Sequence, residues 1–463
     1  MSARQYRKVV AIALTATVGL SLAACSSSKS NNAGTPGKTT IVVDCAPLKT
    51  QFGGKALAAQ NADIAAFEKI HPNIIVKSIS VGSQCDNPPD FTARLNGGSE
   101  ADAYYAYMTD LNQALDLGQA ADISKYLTST NVPNWGDVQP DWKAPFASNG
   151  VQYGIPTSNY TMGLVVNKKL FAAAGLDPHS PPTTWEDVAT DAKKIAATGA
   201  GVYGYADYSA NHTGGWHFAA ELYSAGGELV TADDKTADFN NAMGTQVLQS
   251  LYNMRWNDNS VGTKQLLQWP DLLTLAGAGK VGMFIGAPDA VGAIVSTFKG
   301  NYKDWAMGAM PGFGGPAKAA LSGGNGFLFR KGDSPAQISA AVQWISYEYL
   351  TPGQGQFNFS VMKDEGNEVG EPEPNLFVGG SASDKAFNSD AAKFADVDPA
   401  DYAAYVNNPI APKAEAPNTQ PIYAILDSAM SAVLTQKSAN IPALLKTATT
   451  QVNAFLKQPA AGS

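Results

Sequence analysis

The sequence predicts an α/β protein of two lobes, each built on a mainly parallel sheet with helices on both faces. Three observations predict it. The chain has 463 residues, too many for one hydrophobic core, so two lobes are expected. Its early part alternates strand, helix and strand: an apolar β-branched run at Ile41-Val42-Val43, a helical spacing of Ile64, Phe67 and Ile70 closed by Pro72, then a second apolar run from Ile74 to Val81. That order makes a parallel pair with a right-handed crossover. A later stretch, Tyr153 to Asp187, repeats the alternation with its own punctuation.

In that stretch Pro156 biases Ile155 toward extended geometry. Gly163 to Val166 reads as a buried strand that hands over at Asn167 to a short helix ended by Gly175. Thr184 to Asp187 has the spacing of a capping box, so a new helix is expected to start at Trp185 and run to about Thr198.

The N-terminus reads as a processing signal. Arg4, Arg7 and Lys8 precede a short apolar region, Val9 to Leu20, too short and wrongly flanked to span a bilayer. Leu22-Ala23-Ala24-Cys25 resembles a bacterial lipobox, which makes residues 1–24 a lipoprotein signal peptide and Cys25 the lipidated residue. Residues 25–38 read as a flexible tether. The chain carries a formal charge of −8 with 16% charged residues, the composition of a globular exported protein. Removing the signal makes the balance more negative, which argues against nucleic-acid binding.

The remaining elements follow the same rules. Ala101 to Met108 is expected as a third strand, followed by a helix from Asp110 to Gly118. Tyr203 to Tyr208 is a short strand, and Trp216 to Ser224 and Asn240 to Trp256 are helices. Val281 to Ile285 and Trp305 to Met310 are strands. Ser322 to Gly326 reads as a glycine-rich loop before a strand at Gly326 to Phe329. Pro335 to Leu350 is a helix, residues 352–417 read as irregular, and Tyr423 to Leu434 and Pro442 to Leu456 close the chain.

Several of these runs resemble one family. The order Tyr153-Gly154-Ile155-Pro156, Gly163-Leu164, Asn167-Lys168, Leu170-Phe171, Ala174-Gly175-Leu176-Asp177, Pro181-Pro182 and Thr184-Trp185-Glu186-Asp187 is similar to the extracellular solute-binding proteins of ATP-driven importers. Within them it is closest to the carbohydrate-binding, maltose-type branch. The runs at Phe67 to Val81, Ala101 to Leu127, Trp305 to Thr351 and Pro421 to Leu456 resemble the same family. The resemblance implies a periplasmic-binding-protein type II fold. Its lobes would comprise 39–157 with 311–360, and 158–310 with 361–457, with crossovers near Thr157 to Tyr160, near Met310 to Phe313 and after about Ser360. It also implies a saccharide ligand, ABC permease subunits as partners, a monomer, and a lipid-anchored position on the outer face of the bacterial cell membrane.

Catalytic and metal motifs are absent: no G-x-S-x-G, H-E-x-x-H or Walker A occurs. His212 and His217 are wrongly spaced for one helix face, and the acids from Asp364 to Glu373 lack an EF-hand pattern. No cofactor or metal is expected. A sugar site needs aromatic platforms beside Asp, Asn or Gln on loops at strand carboxyl ends. Tyr107 with Asp110, Asp207 and Tyr208 with Trp216, Trp269, and Tyr423 meet that description. Asn325, Asp289 and Gln51 are weaker additions, and Asp289 stands where many relatives have a tryptophan nearby that this chain lacks. A binder of another solute such as a polyamine, a secreted glycoside hydrolase and a structural lipoprotein are the alternative readings. Cys45 and Cys85 each end a predicted strand; a disulfide, two free thiols and a metal pair all fit the sequence, and an oxidising location favours the first.

Overall fold

The structure is a computed structural model describing residues 37–457 except 82–84, 86–87, 299, 373–375 and 417–418. The signal peptide, Cys25 and most of the tether lie outside the described residues. The strands are β1 (Thr39–Val43), β2 (Ile74–Ser78), β3 (Ala103–Tyr107), β4 (Ala147–Ser148), β5 (Val151–Gln152) and β6 (Gly154–Thr161). They continue with β7 (Gly163–Asn167), β8 (Tyr203–Tyr205), β9 (Val281–Gly286), β10 (Trp305–Gly308), β11 (Ala320–Phe329) and β12 (Pro412–Ala414).

Two sheets organise the chain. The first has the order β12-β11-β3-β1-β2, with β6 also paired to β11, and the second the order β10-β7-β9-β8. In the first, β1 is parallel to β2 and to β3, while β11 runs antiparallel to β3 and β6. The second sheet departs from a mainly parallel arrangement: β7 is antiparallel to both neighbours, and only β8 and β9 are parallel. The cause is connectivity. β6 turns directly into β7, so the chain enters the second sheet at its middle instead of through a βαβ crossover.

Period-two alternation builds the cores. Leu164 and Val166 face one core cluster while Val165 faces another on the opposite side of the second sheet. In the first sheet Ala103 faces one cluster, and Tyr104 and Ala106 the other. Helix Trp185–Ala196 starts where the capping box predicts: the Thr184 hydroxyl accepts from the Asp187 amide at 3.1 Å. It buries Trp185, Val188, Ala192 and Ile195, one stripe at helical spacing.

Core membership locates the crossings. Ile155 belongs to a cluster of the first sheet and Met162 to one of the second, so the first crossing lies in β6. The return is made within β11, because Leu321 packs in the second-sheet core and Phe327 in the first. That is later than the Met310 to Phe313 position read from the sequence. Leu376 and Phe377 remain in the first-sheet core, whereas Tyr402 and Tyr405 join the second, so the last crossing follows Phe377.

The glycine-rich segment Ser322 to Gly326 is strand, not loop. A Cβ at Gly324 would collide with the Ser158 carbonyl, and one at Gly326 with that of Ile155. Glycine is required here by the close approach of β6, an exception to its weak strand propensity. The segment read as irregular also contains helices Phe359–Glu365, Ala382–Phe394 and Pro399–Val406. Asn358, Ser381 and Asp398 cap them, accepting bonds from the first-turn amides.

Cys45 and Cys85 are joined in a disulfide that spans a sequence separation of 40. Closing a loop of that length should stabilise the fold by about 4 kcal/mol on the chain-entropy account. Cys85→Ser is therefore expected to lower the denaturation midpoint by a corresponding amount. A midpoint unchanged within about 0.5 kcal/mol would show that the bridge does not constrain the unfolded chain.

Candidate functional site

The carboxyl end of β3 and its following turn bring the first group of side chains together. Tyr105 and Tyr107 point to the same side, their rings 5.3 Å apart and edge-to-face. Asp110 lies buried beyond them and accepts from the Tyr107 amide at 2.8 Å and the Thr109 hydroxyl at 3.3 Å. Burial pushes its carboxyl up to about 7 even so; those two bonds pull the other way, and the charge of Glu415 adds to the rise. The Tyr107 phenol is pushed up to about 12, first by burial and then by Asp110.

Glu415, just after β12, is the centre of the second group. Its Oε1 accepts from the Tyr160 hydroxyl at 2.6 Å and the Trp216 indole at 3.3 Å; its Oε2 accepts from the Tyr423 hydroxyl at 2.9 Å. The three donors come from β6, helix Thr213–Ser224 and helix Thr419–Thr435. Burial raises the Glu415 carboxyl although all three bonds lower it. The two helices can place Trp216 and Tyr423 side by side because Gly215 lies against the Tyr423 backbone, where a Cβ would collide. The start of helix Thr213–Ser224 has no cap of its own. Asp427, on the neighbouring helix, accepts from the His212 amide at 2.7 Å and the Gly215 amide at 2.8 Å instead.

A third group continues the same surface. Tyr208 lies 5.2 Å from Trp269, 6.3 Å from Trp216 and 4.2 Å from the His217 ring. Asp289 opens helix Asp289–Phe298, and its charge acts on Tyr105 of the first sheet and Tyr208 beside the second. Its surface is open to water, yet surrounding protein raises its carboxyl; a residue on the wall of a cleft has both properties. The turn Gln51–Gly54 lies against that helix, and the Gln51 carbonyl oxygen is buried without a hydrogen-bond partner. Gln420 reaches Thr109 at 3.5 Å. Side chains of both halves thus converge on one cleft lined by rings and carboxylates. Two cavities of about 380 and 300 Å³ lie elsewhere, on the surface of the second half, and none of these residues lines them.

A cleft between two α/β halves joined by crossing strands is the arrangement the sequence implied. Residues 53–354, more than half of the chain, match the model of the bacterial extracellular solute-binding proteins. The chain belongs to this family. Among solved solute-binding proteins, one from Thermotoga lettingae, bound with α-D-tagatose, is 20% identical with a TM-score of 0.70, covering 90% of this chain and 100% of that one. UgpB of Mycobacterium tuberculosis, in complex with glycerophosphocholine, is 15% identical with a TM-score of 0.69, covering 91% and 98%. Both likenesses establish the two-lobed fold. A Brucella abortus (strain 2308) protein designated only as a binding protein is 24% identical over 237 residues, 50% of this chain and 53% of its own. The chain spans about half the length of the curated relatives it matches best.

Within this solute-binding fold, the sequence-derived candidates divide. Tyr107, Asp110, Tyr208, Trp216, Trp269, Asp289 and Gln51 lie together on or beside the cleft. Trp269 is the first residue of helix Trp269–Gly277, not a loop residue, and keeps half its surface open. Asn325 sits on β11 opposite Tyr107 and accepts from the Thr157 hydroxyl at 3.1 Å. Tyr423 is buried and supports Glu415 through its hydroxyl, leaving no ring face for a ligand. Asp207 does not reach the cleft: it is buried and paired with Nδ1 of His217, whose ring supports Tyr208. Sequence reasoning missed Glu415, Tyr160 and the site role of Tyr105. Only Tyr105 left a signal, its place two residues before Tyr107 on one strand face.

Asp110 yields a pH prediction. Its folded-state value of about 7 stands above its ordinary value of 3.8. Across that interval the folded chain holds a proton that the unfolded chain has released. The contribution of this group to stability is therefore full below pH 4 and lost as pH rises toward 7. Asp110→Asn removes that loss. Relative to the parent, its stability should increase with pH across this window by up to about 1.4 kcal/mol per unit, read from urea denaturation at stepped pH. Parallel curves would show that the carboxyl is not shielded.

Proposed function

We propose that this protein is the ligand-binding component of an ATP-driven importer, and that its interlobe cleft takes a mono- or oligosaccharide. The observation that carries the reading is the joint placement of rings and hydroxyl-seeking oxygens. Tyr105, Tyr107, Tyr208, Trp216 and Trp269 offer apolar faces to sugar C–H groups. Asp110, Glu415 and Asp289 offer acceptors to hydroxyls, and the unpaired Gln51 oxygen offers another. The tagatose held by the Thermotoga relative supports a saccharide as the occupant.

In this reading the lobes open and close about β6, β11 and the segment after Phe377. A ligand touching both walls shifts the population to the closed form. The closed monomer docks on permease subunits in the membrane. Cys25 carries the acyl anchor that holds the protein on the outer face of the membrane; acyl chains contribute about 0.8 kcal/mol per buried CH₂. The tether then keeps the lobes just clear of the bilayer.

A thermal-shift screen against a sugar panel, followed by calorimetry, tests the reading. A ligand at 100 times its Kd should stabilise the protein by about 2.7 kcal/mol. Trp216→Ala and Glu415→Ala should each weaken that ligand by about 10- to 100-fold, the scale of a lost ring platform or charge-assisted hydrogen bond. Binding of a peptide, polyamine or metal chelate with no response to any sugar would reject the saccharide assignment.

A further inference from the structure

We infer that the cleft selects its ligand by charge: it accepts neutral or amine-bearing saccharides and excludes those carrying phosphate or carboxylate. The inference rests on the saccharide reading above and specifies the substrate class of the same site. Three carboxylates face the cleft from three parts of the chain: Asp110 after β3, Asp289 at a helix start, and Glu415 after β12. Among the described residues, no lysine, arginine or histidine hydrogen-bonds or ion-pairs with any of them. The three donors on Glu415 are two phenol hydroxyls and an indole N–H, which fix its position and leave its charge uncancelled.

Anion sites in proteins are built from arginine or lysine forks, or from free amides at helix starts. The helix starts around this cleft are already filled by acids. Asp289 accepts from the amides of its own helix start, and Asp427 takes those of helix Thr213–Ser224. Asp271 bonds the Gln268 amide at the start of helix Trp269–Gly277. Asp110 occupies the cap position of helix Leu111–Asp116. A phosphate entering here meets no donor pair and adds a like charge to a partly water-excluded wall. An ammonium meets uncompensated carboxylates.

Charge-matched probes test this. Glucose, maltose, glucosamine, glucuronate, glucose 6-phosphate, sn-glycerol 3-phosphate and spermidine are titrated against the full-length protein by calorimetry. A neutral or amino sugar that binds at least about 100-fold more tightly than its phosphorylated or carboxylated twin supports the inference, the size expected for one added like charge at cleft distance. A phosphorylated sugar that binds as tightly as its parent overturns it while leaving the saccharide reading intact. Spermidine binding without any sugar response supports the charge rule and overturns the saccharide reading; sn-glycerol 3-phosphate as sole ligand overturns both.

A measurement without ligand decides the matter where no sugar binds. Emission from Trp269, isolated by difference from Trp269→Phe, is quenched with iodide, acrylamide and caesium at high ionic strength. Iodide should quench it least and caesium most. Asp289→Asn with Glu415→Gln should raise iodide quenching at least about twofold, as expected when local repulsion is relieved. Equal quenching by iodide and caesium in the unmodified protein overturns the inference even if the double variant fails to fold.

Discussion

A buried carboxylate is costly unless its oxygens are hydrogen-bonded, and that constraint at Glu415 fixes the geometry around it. Its two oxygens hold Tyr160, Trp216 and Tyr423 at once. Tyr160 belongs to the strand that passes from one half to the other, Trp216 to a helix of the second half, and Tyr423 to a closing helix. The Glu415 amide adds a fourth tie, to the Ser322 carbonyl of β11 at 3.1 Å. One residue thereby binds both crossing strands to two helices, and two of the rings it holds lie in contact, Tyr160 and Trp216 being 6.1 Å apart. Loss of that carboxylate would leave two phenols and an indole half-buried with no common acceptor.

The crossing itself depends on what is missing from β11. Gly323, Gly324 and Gly326 leave no side chains where β6 presses in, and a register shift falls between Asn325 and Gly326. Local rules read such a run as a loop because glycine weakens strands. The opposing requirement, backbone against backbone, comes from a partner more than 150 residues away, so no window of sequence contains it. The strands of the cores were legible because alternation is local: Leu164, Val165 and Val166 assign themselves to two faces of one sheet. The helix at Trp185 was legible because its capping box lies within four residues.

The candidate site was legible in part for the same reason. Tyr107 and Asp110 are three residues apart on one turn, and Tyr208, Trp216 and Trp269 are aromatics close to loops. Asp207 and Tyr423 resemble them in sequence yet serve beneath the surface, one paired with His217 and the other with Glu415. Their roles were decided by partners 10 and 8 residues distant that carry no motif. Glu415 and Tyr160 stand 255 residues apart and meet only after the chain has crossed between halves. A lone acid between alanines and prolines announces nothing locally.

The same long-range logic links the end of the chain to the ligand wall. Helix Thr213–Ser224 begins at His212, whose backbone is left-handed at φ 73° and which supplies no side-chain cap. A helix start so exposed leaves amide donors unsatisfied. Asp427 satisfies two of them from a helix that lies more than 200 residues later, and Gly215 lets that helix approach closely enough to do so. Trp216 is the next residue. Its ring orientation is therefore set jointly by Asp427 from one side and Glu415 from the other, both contributed after residue 414. The first 400 residues supply most of the rings of the cleft, but its central platform takes its position only when the closing helix docks, which makes the ordering of the binding wall a late consequence of folding.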